Sequence, residues 1–187
     1  MGHRIFWITL SVWLLTDFSL LLLRRQGGNH TESERSSKYV MAVLIFAGMF
    51  SGILLFPESK QYFLLPFTRL RYISIVLMIV GAAIRLLAAY QLGPSFSRNV
   101  GTGKGTPLIK TGLYSKIRHP GYLGEMLVFS GIAVAFNHPV SSGLAFLLPL
   151  AAFLYRMNVE EKALTHAYGS EYSEYAARTK RIAPFLY

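Results

Sequence analysis

Cysteine is absent from all 187 residues, which excludes disulfides, thiolate zinc sites and cysteine-ligated iron–sulfur clusters. Any chemistry must therefore use oxygen, nitrogen or a bound organic cofactor. Acidic side chains are scarce too, 9 against 19 lysines and arginines, and charged residues of both signs make up only 15% of the chain. With 52% hydrophobic residues, that scarcity argues against a water-soluble globule, because a domain this small cannot bury so much apolar side chain. There is no internal repeat, and no polar stretch is long enough to form a separate soluble catalytic domain.

What the chain does contain is a series of apolar runs. Residues 5–23, 39–56 and 70–92 each approach the roughly 20 residues that a membrane-spanning helix needs. Residues 122–136 and 140–155 are shorter, are separated only by Asn137, His138 and Pro139, and read as a tight helical hairpin that barely crosses. The first run stops at Arg24 and Arg25 without a small-x-small cleavage site, so it reads as a span rather than a cleaved signal peptide. The expected architecture is all-α: an integral membrane protein with about five transmembrane helices, the last two a short hairpin, plus cytoplasmic C-terminal helices. Residues 1–92 supply three N-terminal spans. Residues 93–187 form the second half as one unit of loop, hairpin and tail, in which Gly169 ends one helix, Ser170 can cap the next and Pro184 closes the pattern.

The net charge of +10 would suggest nucleic acid in a soluble protein, but its distribution has a membrane cause and no nucleic-acid partner is expected. Arg24, Arg25, Arg35 and Lys38 lie in the polar loop at 26–38 and its approach. Arg98, Lys104, Lys110, Lys116 and Arg118 follow the third run, and Arg156, Lys162, Arg178, Lys180 and Arg181 lie in the tail. Five spans with the N-terminus outside place all of these in the cytoplasm, as the orientation rule requires. Both long polar segments then share one membrane face, where a site can be assembled.

Asp17, Arg85 and Glu125 interrupt apolar runs at a similar depth, about 6–10 Å inside the cytoplasmic helix ends at 1.5 Å rise per residue. Charge at such depth is either functional or paired to fix helix packing. The glycines of Gly101-Thr-Gly103-Lys-Gly105 meet neither phosphate-loop nor dinucleotide spacing, since no strand precedes them and no GK[ST] opens a helix after them. They read as a flexible loop, free to fold over a ligand.

The strongest signal runs from Gly112 and Tyr114 through Arg118-His119-Pro120-Gly121-Tyr122-Leu123-Gly124, and continues across the hairpin at Arg156 and Glu160-Glu161. Arg118 and Arg156 can grip a carboxylate or phosphate by paired hydrogen bonds, while carboxylates at 160 and 161 suit an ammonium or ribose hydroxyls. Together these are complementary handles for a zwitterionic cofactor. Tyr114 and Tyr122 add ring faces for an adenine or a sulfonium, and Pro120 fixes the start of a helix. Each residue alone has a structural explanation; the ordered conjunction is what points to a site.

On these residues, together with Leu108-Ile109, Asn137-His138-Pro139, the tail Tyr168-Gly169-Ser-Glu-Tyr172-Ser-Glu-Tyr175, Arg181 and Pro184, the stretch 93–184 resembles the isoprenylcysteine carboxyl methyltransferase family and its relatives among integral-membrane phospholipid methyltransferases. The resemblance implies a helical membrane enzyme that uses S-adenosyl-L-methionine without a Rossmann sheet. It also implies a pocket built from the loop before the hairpin and the tail helices, with a lipophilic or prenylated acceptor entering from among the membrane lipids. By position it makes Thr106, Pro107, Leu108, Ile109, Tyr114, His119, Pro120, Gly121 and Tyr122 cofactor contacts, Glu160 a cofactor-binding carboxylate, and Arg156 the arginine that meets the substrate. Glu161 joins the cofactor set and Arg118 the catalytic set; no metal site is expected. Thr106 stands where some members have His, Phe96 where Trp is more usual, and 1–92 carries no motif of the family. The implied reaction is carboxyl O-methylation of an isoprenoid-type or prenylcysteine-like acceptor. Methylation of a lipid amine with His119 or Glu160 as base, a nicotinamide-dependent sterol-type reductase and a non-catalytic lipid-binding scaffold stand as alternatives. All the catalytic readings require His119 and Glu160 to face one cavity.

Overall fold

A computed structural model describes residues 2–23, 32–55, 67–93 and 107–182. Among them the chain is helical: α1 (Gly2–Leu23), α2 (Glu32–Leu55), α3 (Phe67–Leu92), a 3-10 turn (Gly112–Ser115), α4 (Pro120–Phe136), α5 (Pro139–Tyr168) and α6 (Ser170–Arg178). One isolated parallel bridge joins Ile117 to Lys180.

The hairpin turn follows from its three residues. Asn137 takes the left-handed conformation (φ 49°, ψ 30°) and its N–H returns to Val134 O, a helix stop that Asn tolerates. His138 then caps α5 by accepting from Ser141 N, and Pro139 occupies the first turn, where its missing N–H costs nothing. Ser142 Oγ donates to Ala133 O at 2.6 Å and closes the turn.

Two boundaries differ from the sequence reading. Helix α2 starts at Glu32, inside what reads as the polar loop 26–38, and the last apolar run does not end its helix at Tyr155. Instead α5 continues unbroken to Tyr168, 30 residues against the 17 of α4, so the hairpin is strongly asymmetric. Hydropathy marks where apolar side chains stop, but a helix continues wherever its polar residues find inward partners, as Ser37 and Arg156 do below. Gly169 ends α5, its N–H bonded to Thr165 O, and also precedes α6, so Ser170 is the first residue of α6 rather than its cap. Pro184 and the glycine loop 101–105 lie outside the described residues. Leu70–Leu92 and Pro139–Tyr168 are long and apolar enough to cross a membrane, whereas Ile8–Leu20, Ser36–Ser51 and Pro120–Phe136 are apolar but shorter.

Helix α3 packs on α4, α2 on α5, α4 on α5, α1 on α3, and α6 on α5. At the antiparallel α3–α4 seam Gly81 and Gly124 face each other. A Cβ on Gly81 would lie 2.5 Å from Gly124 O, and one on Gly124 2.6 Å from Gly81 O, so only glycine permits this approach. The core joins Trp13, Met78, Val128, Phe129, Ile132, Phe153 and Met157. Leu15, Phe18, Val43, Phe46, Phe50, Ile79 and Leu87 point outward, an apolar exterior suited to hydrocarbon rather than water.

Candidate active site

The site grows from the segment between the 3-10 turn and α4. Tyr114 is buried; its hydroxyl reaches Ala88 O at 3.4 Å, and Gln91 Oε1 accepts from Leu113 N at 2.8 Å. These contacts fasten the segment to the end of α3. The tail pins it from the other side: Arg118 N donates to Lys180 O, His119 N to Arg181 O, and Lys180 N to Lys116 O. Tyr175, on α6, donates its hydroxyl to Tyr114 O at 2.7 Å.

Between these anchors, α4 and α5 bring the remaining residues together. Tyr122 donates to Glu160 Oε2 at 3.0 Å, and its ring lies against His119 (centroids 5.7 Å) and Phe153 (5.6 Å). Phe153, Met157 and Glu160 recur at helical spacing, so one face of α5 meets α4. His119 is buried, at 5% exposure, with Nε2 3.2 Å from Glu161 Oε1. The stretch 118–122 thus meets Glu160 and Glu161 in space. A Cβ on Gly121 would meet nothing within 4 Å, so there is open room beside Tyr122.

The two adjacent carboxylates keep different company. Glu161 accepts from Arg118 Nε at 2.9 Å and from Arg181 Nε at 3.0 Å, besides facing His119. It is the hub that joins loop, α5 and tail. Glu160 meets Tyr122 instead. Arg118 also donates through Nη1 to Ala176 O and Thr179 O, which satisfies carbonyls at the end of α6. Arg156 is buried at 3% exposure and points to the α2 side, where Nη1 donates to Ser37 Oγ at 2.5 Å. Pro107 is exposed, Leu108 and Ile109 are half-buried, Pro120 is buried, and Thr106 lies outside the described residues.

Asp17, Arg85 and Glu125 form one cluster, with Arg85 paired to both carboxylates. The pairing expected at that depth is present, and it ties α1, α3 and α4 together beside the site. Burial pushes the Tyr114 phenol well above its ordinary range, reinforced by Glu160, and raises Tyr172 similarly. Tyr175 is pushed up to about 12 by burial, although Arg118 pulls the other way. Sequence reasoning missed Ser37 and Gln91. Both lie in the half of the chain without a motif, and neither residue type stands out there.

The sequence model of the isoprenylcysteine carboxyl methyltransferase family matches residues 74–166. A rice (Oryza sativa subsp. indica) protein named "Probable protein-S-isoprenylcysteine O-methyltransferase" is 35% identical over 156 residues, 81% of this chain and 78% of its own length. The chain belongs to the isoprenylcysteine carboxyl methyltransferase family. Two further relatives carry the name protein-S-isoprenylcysteine O-methyltransferase. That of Saccharomyces cerevisiae is 31% identical over 192 residues, 99% of this chain and 80% of that one. That of Homo sapiens is 30% identical over 133 residues, 70% of this chain and 45% of that one. Membership makes this chain a methyltransferase. The family match begins on α3, so it contains Arg85, Tyr114, the Arg118–Tyr122 segment, Glu125, Arg156 and both carboxylates, and leaves out α1, α2 and the tail.

Proposed function

We propose that this methyltransferase transfers a methyl group from S-adenosyl-L-methionine to the carboxylate of an isoprenylcysteine-type acceptor, at the cytoplasmic boundary of a five-span membrane protein whose N-terminus is outside. The observation that carries the reading is the Tyr122–Glu160 hydrogen bond with His119 packed on the same ring, because it unites both halves of the motif.

The residues present fit the cofactor. Glu160 offers a carboxylate for an ammonium or for ribose hydroxyls, and Tyr122 and His119 offer ring faces. Tyr172 is buried, and its hydroxyl has no hydrogen-bond partner among the described residues although it feels the charges of Glu161, Arg118 and Glu160. A polar ligand group would satisfy it. When bound, S-adenosyl-L-methionine supplies an electrophilic sulfonium methyl, which a carboxylate oxygen takes as the carbon–sulfur bond breaks, with no proton to remove. The protein's task is then alignment and exclusion of water. Arg156 orients the acceptor carboxylate through its planar fork. Phe153, Phe129 and Met157, all buried, keep the neighbouring space dry, and the apolar exterior admits a lipid-borne tail. Arg118 and Glu161 hold the tail against the site.

Purified protein given methyl-labelled S-adenosyl-L-methionine and an N-acylated S-prenylcysteine should yield a base-labile methyl ester. Arg156→Ala should lower kcat/KM for the acceptor by about 100-fold while leaving cofactor affinity within about twofold. A base-stable product formed at a rate that rises with pH would replace the acceptor carboxylate with an amine. Equal loss of turnover and cofactor binding would remove Arg156 from its role.

A further inference from the structure

Helix α2 carries no motif, yet it places one polar side chain where the reaction needs order. Ser37 is 0% exposed, although its neighbours Ser36, Tyr39 and Val40 are all exposed. A hydroxyl buried at the start of an apolar helix is costly unless hydrogen-bonded, and Ser37 Oγ accepts from Arg156 Nη1 at 2.5 Å across 119 residues of sequence. Both partners are nearly inaccessible, so water competes little for this bond.

The position of that hydroxyl is set by backbone packing. Further along α2, a Cβ on Gly48 would lie 2.9 Å from Leu144 O and 3.2 Å from Pro149 Cδ, so the two helix backbones nearly touch there. Ser37 lies three turns, about 16 Å, from that contact, on a rigid helix whose register against α5 is fixed. Serine has a single side-chain torsion, so its oxygen inherits the precision of the helix. A guanidinium is a flat fork whose two-point grip on a carboxylate depends on the orientation of its plane. Its long side chain leaves that plane free to turn unless something holds it.

We infer that Ser37 is a positioning residue for methyl transfer, fixing the plane of the Arg156 guanidinium so that it presents the acceptor carboxylate in line with the methyl donor. The inference rests on the assignment of Arg156 to the acceptor.

The test is a double-mutant cycle on the full-length protein in detergent or nanodiscs, using Ser37→Ala, Arg156→Ala and the pair. Acceptor kinetics use N-acylated S-prenylcysteine, and cofactor binding is measured separately by calorimetry with S-adenosylhomocysteine. Ser37→Ala should lower kcat by about tenfold, since loss of alignment acts on the reacting geometry, while changing cofactor affinity less than twofold. It should add nothing in the Arg156→Ala background. Ser37→Cys, of similar size but a weaker acceptor, should fall between Ser37→Ala and the native residue, and it carries the test if the alanine variant does not fold. Equal losses from Ser37→Ala in both backgrounds, or a lower melting temperature with unchanged kcat, would overturn the inference. If Arg156→Ala itself leaves acceptor kinetics intact, the underlying assignment fails instead, a distinct result.

Discussion

Glu160 and Glu161 are neighbours in sequence but do different work, because a helix turns about 100° per residue and so points them at different partners. Glu161 takes two arginines and faces a histidine; Glu160 takes the Tyr122 hydroxyl. Removing one charge from each should separate binding from stability. Glu161→Gln leaves Arg118 and Arg181 without their shared carboxylate. Hydrogen bonds to charged groups contribute about 1.5–3 kcal/mol, and partial exposure screens them, so the loss should be about 2 kcal/mol, read as a lower melting temperature. Glu160→Gln should leave the melting temperature within about 2 °C and weaken S-adenosylhomocysteine binding tenfold or more, as expected for a charge that faces a ligand. The reverse pattern would exchange the two roles. The sequence names both residues as cofactor carboxylates, since spacing alone cannot say that Glu161 meets arginines from two other segments while Glu160 meets Tyr122. Arg118, which the sequence places in the catalytic set, has its guanidinium engaged with Glu161 and the carbonyls of Ala176 and Thr179.

At the scale of the element, α6 and the segment after it act as a clasp on the loop before α4. The clasp consists of the Ile117–Lys180 bridge, the Arg118 contacts and the Tyr175–Tyr114 bond. Its tyrosines make it sensitive to alkali. Docked, Tyr175 ionises only near 12, and Tyr114 and Tyr172 are also raised by burial; released, each ionises near the ordinary phenol value of about 10. The docked state therefore holds protons that the released state gives up. Its stability is intact below about pH 10 and falls as pH rises from there through 12. Limited proteolysis of the tail should accelerate over that window, together with phenolate absorbance at 295 nm; cleavage independent of pH would contradict it. Tyr175→Phe removes one buried hydrogen bond, costs about 1 kcal/mol and should reduce this alkaline step. The helix break at Gly169 is legible in the sequence because glycine there is a strong stop signal. The clasp is not, because backbone pairing between residues as far apart as Ile117 and Lys180 leaves no local pattern.

For the whole molecule, the helix contacts arrange two ends. Asp17 and Arg85 lie near the C-terminal ends of α1 and α3, Ser37 and Glu125 near the N-terminal ends of α2 and α4, and they pair with one another or with Arg156. The polar residues therefore form one layer, and the Asn137–Pro139 turn lies a full α4 away, about 25 Å for 17 residues. The loop-by-loop distribution of basic residues implies five spans, whereas two helices among the described residues, Leu70–Leu92 and Pro139–Tyr168, are long and apolar enough to cross a membrane; what was legible in the sequence is the all-helical fold. The length of α5 and the true start of α2 were not, because both helices run on into polar sequence that hydropathy reads as loop or tail. The arrangement of the two ends also makes the proposed orientation testable. With no native cysteine, each introduced cysteine is a unique label, and Ser36, Val140 and Ser170 are all exposed. In inverted vesicles, a membrane-impermeant maleimide should label Ser36→Cys and Ser170→Cys at once and leave Val140→Cys unreactive until the membrane is dissolved; in right-side-out vesicles the pattern should reverse. Reaction of Val140→Cys and Ser170→Cys from the same side would mean that α5 does not cross. The site would then have no hydrocarbon face through which a prenylated acceptor enters.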